Sequence, residues 1–173
     1  MASVLIDYLP ASPAFRSMPP QTKIWIYQAN KPIPREAIPI VKDVLSRFAE
    51  SWTSHNHKLN AYADVLLDRF VILAADETRT GIGGCSIDAS VRFIRQLGEQ
   101  LRIDFLDRQT FAWLEDGEVH TAPQETFEKY YQQGRINDET LVFDNLVNTK
   151  EAFEKGWIKP LGKSWHHKLV SKN

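Results

Sequence analysis

Cys85 is the only cysteine in a chain of 173 residues, and it follows Gly81, Gly83 and Gly84. The loop sits between the most strand-like run, Phe70 to Ala75, and the most regular helical run, which starts near Ile87. A loop entering a helix exposes unpaired N–H groups and a partial positive charge. Glycines let such a backbone curl around an anion. The same field favours a thiolate, so Cys85 is the candidate nucleophile. Arg79, Gly83, Gly84, Cys85 and Ser86 together form the candidate ligand site, for a small anion or a small ligand. Thiol catalysis also needs a base and a group to orient it. His166 is the candidate base, drawn from His55, His57, His120, His166 and His167, with Asp76 or Asp144 as orienter. The simpler account is a glycine turn with Cys85 packed inward as a small apolar residue. It outweighs both chemical readings, so the balance lies against an enzyme.

Other groups carry weaker signals. His55-Asn56-His57 and His166-His167 lack the dense ligand spacing of zinc sites, so no metal and no cofactor is expected. Asp76 and Glu77 close a strand, where they have the types for an acid and base or for magnesium ligands, but a strand-end carboxylate as often serves a turn or a cap. Arg92, Arg95 and Arg102 share a helix face with Glu99 and read as a solvated surface.

Composition bounds the classes. Apolar residues make up 43% and charged residues 25%, and the formal net charge is −1. That balance argues against a nucleic-acid or anionic-membrane surface. A single cysteine cannot form an internal disulfide, and no run approaches the ~18 apolar residues of a membrane span. A cytoplasmic protein, monomer or homodimer, is the expectation.

The elements that must hold these residues follow from periodicity. Residues 1–21 carry Pro10, Pro13, Pro19 and Pro20 and read as an extended arm, tied down by Val4, Leu5, Ile6 and Phe15. Ile24-Trp25-Ile26-Tyr27 is a strand. A helix begins near Pro39 and carries its apolar stripe from Ile40 to Trp52. Thr53 to His57 has no period and reads as a loop. Leu59–Leu67 and Phe70–Ala75 form a hairpin turning at Asp68-Arg69. The second strand is apolar on both faces, as a central strand would be. Ile87, Val91, Ile94, Leu97 and Leu101 give a second helix, and Phe111 to Leu114 a further strand. Asp116-Gly117 is the strongest hairpin signal. Thr121 with Gln124, and Asn148 with Glu151, resemble helix-capping pairs.

The order β-α-β-β-α-β over about 23–114 predicts an α+β fold, with a ferredoxin-like antiparallel sheet and two helices on one face. Residues 22–110 would form this body, and residues 111–173 an appended element. Residues 111–149 hold eight acids and two bases, and residues 150–173 six lysines and two glutamates. Opposite charge favours docking of the two segments, although exposed pairs contribute little each.

Two resemblances add to this. Trp25-Ile26-Tyr27-Gln28, Gly84-Cys85-Ser86-Ile87-Asp88, Val142-Phe143-Asp144-Asn145 and Leu161-Gly162-Lys163-Ser164-Trp165-His166 resemble a family of small uncharacterised bacterial proteins. Members are sometimes labelled ABC-transporter ATPases. The residues argue against that label. Gly156 precedes Gly162-Lys163-Ser164 by one residue too many for a Walker A loop, and only nine residues follow Ser164. Separately, Asp116-Gly117, Ala122-Pro123, Gly134-Arg135-Ile136 and Asp138 to Phe143 resemble GYF-like modules, without the Gly-Tyr-Phe signature. That resemblance implies a peptide-binding adaptor using Trp113, Tyr130, Phe143 and Trp157. The leading expectation is a small binding or interaction protein, ahead of a Cys85-dependent transferase or hydrolase and of the adaptor.

Overall fold

The computed structural model describes residues 5–172. Val4, one of the residues expected to anchor the arm, lies outside them. The arm is not simply extended. Ser12 caps a short helix, α1 (Pro13–Arg16), by accepting from Ala14 N–H at 3.2 Å. Phe15 and Met18 follow it into the core.

The chain continues through β1 (Lys23–Gln28), α2 (Ile38–Ser51), the two-residue strands β2 (Thr53–Ser54) and β3 (His57–Lys58), β4 (Asn60–Leu66) and β5 (Phe70–Asp76). It then forms α3 (Gly84–Leu101), β6 (Thr110–Glu115), β7 (Glu118–Pro123) and α4 (Gln124–Gln132). Last come β8 (Leu141–Phe143), α5 (Lys150–Gly156), β9 (Ile158–Pro160) and α6 (His167–Val170). The fold is α+β, and among the described residues no helix is long and apolar enough to cross a membrane.

The ferredoxin-like sheet is not formed. The described residues make three separate antiparallel sheets: β1-β5-β4, the small β2-β3 pair, and β7-β6-β8-β9. The run expected to complete the first sheet, Phe111 to Leu114, is the interior strand β6 of the third. Two nearby forces draw it there. Asp116 and Gly117 take φ of 53° and 76°, the left-handed pair of a tight hairpin, and lock β6 to β7. On its other edge Trp113 and Leu114 pair with Val142 and Leu141.

Side-chain alternation explains the stacking. Along β6, Phe111 and Trp113 face α4 and α6 with Phe127, Ile136, Leu161 and Val170. Ala112 and Leu114 face the first sheet with Ile24, Phe70, Ile72 and Phe143. Helices α2 and α3 cover the opposite face of the first sheet, through Val41, Leu45, Ile94 and Leu97 against Val71 and Leu73. The layers therefore run helix, sheet, sheet, helix. Strand β5 is central and covered on both sides, with Phe70 to Ala75 all at most 1% exposed.

Local expectations differ in three places. Residues 53–58 are a tiny hairpin, with His55 and Asn56 at φ of 52° and 65°. Thr121 lies within β7 instead of capping α4, which begins after Pro123 with no side-chain cap. The cap of α5 is Thr149, one residue beyond Asn148, and it accepts from Ala152 N–H at 3.1 Å.

Lys150 ties the arm to this body. The residue is 6% exposed, and its ammonium donates to the carbonyls of Arg16 at 2.8 Å and Met18 at 2.7 Å. Lys150→Met would keep most of the stem packing and leave two carbonyls without that donor. The expected loss is about 1–3 kcal/mol in urea unfolding, with faster proteolysis in residues 5–20 than in the wild type.

Candidate functional site

Helix α3 enters through Gly83, whose N–H donates to Ser54 Oγ at 3.0 Å. That hydroxyl in turn donates to Gly81 O at 2.7 Å. The β2-β3 hairpin thus pins the glycine loop. Ser86 serves the same junction: its Oγ donates to Thr53 O at 2.7 Å, and its carbonyl accepts from Trp52 Nε1 at 2.9 Å. Gly84 has open space around its Cα, and Cys85 is exposed. The inward-packed cysteine of the simpler account is therefore not what the structure shows.

Arg79 belongs to a neighbouring cleft. It lines an open polar cleft of about 570 Å³ with Lys58, Asn60, Asp76 and Thr78. Burial works to raise the Asp76 carboxyl, but hydrogen bonds from Thr78 and Asn60 and the Arg79 charge outweigh it and hold it below the usual range. The histidine beside the glycine loop is His55. Its Nε2 is 3.4 Å from where a Cβ on Gly83 would stand. Among the described residues no three His, Cys, Asp or Glu side chains gather as metal ligands.

His166 occupies a different place. It is 1% exposed, stacked on Trp165 at 3.9 Å between ring centroids, and flanked by Phe111 and Phe127. Its Nδ1 is 2.6 Å from Ser164 Oγ. Burial pushes the imidazole down to about 4, against the opposing charge of Asp144 and with help from Lys159. His166 is therefore a neutral ring at pH 7 and a weak base.

Trp165 and His166 lie in the wall of a partly open cavity of about 310 Å³, which sequence reasoning did not find. It opens along the free edge of β1. In an antiparallel sheet the N–H and C=O of alternate residues point to the same edge. Ile24 N–H donates to Asn148 O at 3.0 Å, on the side away from β5. Lys150 N–H donates back to Thr22 O at 2.8 Å, and Lys23 bridges Thr149. Residues 148–150 thus begin to fill the place of a fourth strand, then leave it. By alternation, Ile26 points its N–H and C=O to this same edge, and neither has a partner among the described residues.

An amide chain closes the other end. Trp157 Nε1 donates to Asn145 Oδ1 at 2.9 Å, and Asn145 Nδ2 donates to Gln28 Oε1 at 2.9 Å. Gln28 Nε2 then donates to Thr110 O at 3.0 Å. Asp144 fixes the loop that carries Asn145. It accepts from Trp165 Nε1 at 3.0 Å, from Leu146 N–H at 3.1 Å and from Lys159 Nζ at 2.7 Å. The signal that could have found this site is a pair of amides ending apolar strands: Gln28 after Ile-Trp-Ile-Tyr, and Asn145 just beyond Leu-Val-Phe.

The structure therefore does not bring the proposed catalytic pair into one pocket. Cys85, Gly83, Gly84 and Ser86 stand at the start of α3, Arg79 in the polar cleft, and His166 in the β1 cavity. No family model, curated protein or solved structure matches this chain.

The low proton affinity of His166 has a signed consequence. Between its unfolded value of 6.5 and its folded value of about 4, only the unfolded chain binds this proton. Stability therefore falls as pH falls through that window, by roughly 3 kcal/mol in total. Denaturant unfolding at pH 7, 5.5 and 4 should show this loss in the wild type and a shallower one in His166→Gln.

Proposed function

We propose that this is a small-ligand-binding protein whose ligand occupies the cavity at the free edge of β1. One observation carries the reading: a partly open cleft of about 310 Å³, with Trp25, Tyr27 and Trp165 among its lining residues, meets an Ile26 N–H and C=O that have no partner among the described residues. Ligand sites are concave, mostly apolar, and fitted with a few placed polar groups. His166 and Asp107 line it, but His166 Nδ1 lies 2.6 Å from Ser164 Oγ and the Asp107 carboxylate accepts from Gln109 N–H and Thr110 Oγ1; both are engaged in holding the fold, which favours binding over catalysis. The free thiol of Cys85 suits a reducing, cytoplasmic setting. The adaptor reading has less support, because Trp113, Phe143 and Trp157 are all at most 2% exposed and serve the core. A fragment screen by thermal shift tests the proposal. A ligand present at 100 times its Kd should stabilise by about 2.7 kcal/mol, several degrees for a chain of this size. Val147→Phe, which narrows the cavity, should abolish the shift, and a shift unchanged in that variant would place binding elsewhere.

A second reading keeps the glycine loop, as an anion site. Helix α3 has no side-chain cap and no acid in its first turn, and its field would favour a bound anion. Sulfate or phosphate titrated at constant ionic strength should move the Gly84 and Cys85 amide resonances. Amides that stay fixed up to tens of millimolar would remove this reading.

A further inference from the structure

The free edge of β1 does more than line the cavity; it presents a fixed order of hydrogen-bonding groups. Ile24 C=O, Ile26 N–H, Ile26 C=O and Gln28 N–H follow one another along it, acceptor and donor in alternation. A complementary molecule needs a donor beside an acceptor on one rigid edge. The slot is shut at one end by the Asn148–Thr149 crossing and at the other by the Asn145–Gln28–Thr110 amide chain. An extended peptide running along β1 would have to pass through both closures, so a compact molecule fits better than a strand.

The walls narrow the class further. Trp25, Tyr27 and Trp165 are half-buried lining residues and suit a flat ring. Charge at the mouth is sparse. Arg108 is exposed, and the carboxylate of Asp107 is already engaged by Gln109 N–H at 2.8 Å and Thr110 Oγ1 at 2.7 Å. Among the described lining residues Arg108 is the single Lys or Arg, too few to hold a phosphate chain. The volume lies at the lower end of small-molecule sites, enough for one or two rings.

We infer that the slot takes a neutral planar heterocycle with a lactam edge, a ring N–H beside a ring C=O as in a nucleobase, paired in plane with the backbone of Ile26. This rests on the cavity being the binding site. The ligand C=O would accept from Ile26 N–H, and the ligand N–H would donate to Ile26 C=O. A half-buried edge of this kind disfavours an analogue that leaves its donor or acceptor unpaired.

The test is a titration of the full-length protein followed by backbone amide and indole resonances. The probes are uracil and hypoxanthine, their N-methylated forms 1,3-dimethyluracil and 1-methylhypoxanthine, and indole as a flat ring without a lactam. The lactams should shift the Ile26 amide downfield, and N-methylation should weaken binding about tenfold or more. Equal binding of indole or the methylated rings, with Ile26 and Trp165 moving, would overturn the lactam assignment and leave the cavity proposal standing. No movement of Ile26 with any probe or screened fragment would overturn both. Lactam binding that persists in Val147→Phe, with shifts at Gly84 instead, would overturn the assignment and support the glycine loop.

Discussion

Strand β5 must be covered on both faces, and most of the architecture answers that need. Phe70, Val71, Ile72, Leu73, Ala74 and Ala75 run without a polar residue, so neither side can face water. Leaving one such side chain exposed forgoes roughly 1.5–3 kcal/mol for each of the larger ones. Helices α2 and α3 cover one face, on the side of Val71 and Leu73. On the other face Phe70 and Ile72 meet Phe143, Phe153 and Trp157, with Phe70 and Trp157 packed edge to face at 5.0 Å. A second sheet, not solvent, is the partner of the first.

The cavity follows from that arrangement. Recruiting β6 into the β7-β6-β8-β9 sheet removes the strand that would have closed the β1 edge. Residues 148–150 replace it for two backbone hydrogen bonds and then turn away towards Asp144. The fixed points that hold the gap open are polar and few: Asp144 on Lys159 and Trp165, and Asn145 between Trp157 and Gln28. Each is satisfied by a specific partner, as partly buried polar groups must be. Gln28 is 7% exposed and Asp144 8%. Their networks position the loop, and the ligand groups proposed here are the backbone atoms left over.

The glycine loop shows how the same kind of constraint can resemble chemistry. Gly83, Ser54 and Ser86 form a tight hydrogen-bonded junction between α3 and the small β2-β3 hairpin. Ser54 and Ser86 are buried in it, while Cys85 is left at the surface. A strand-to-helix turn with glycines and a thiol can therefore arise from packing alone, before any ligand is considered.

By itself the sequence determined the local elements, because their causes are local. The Asp116-Gly117 turn, most of the stripe read from Ile40 to Trp52, Gly134 just past the end of α4 at φ 74°, and the two-faced β5 could all be read from residue type and spacing; Ile40 itself is 67% exposed, and the stripe buries Val41, Leu45, Ala49 and Trp52. Only the tertiary structure decided where β6 pairs. Its choice between the edge of β1 and the partners β7 and β8 depends on competing contacts tens of residues apart. The sequence likewise named Cys85, Ser86 and His166 but not their surroundings. Exposure for the first, a junction hydrogen bond for the second and a buried, neutral ring for the third come from neighbours that spacing along the chain does not encode. The free backbone edge at Ile26 is the extreme case. It involves no distinctive side chain, so nothing in residue type could announce it, and it exists only because the fourth strand went elsewhere.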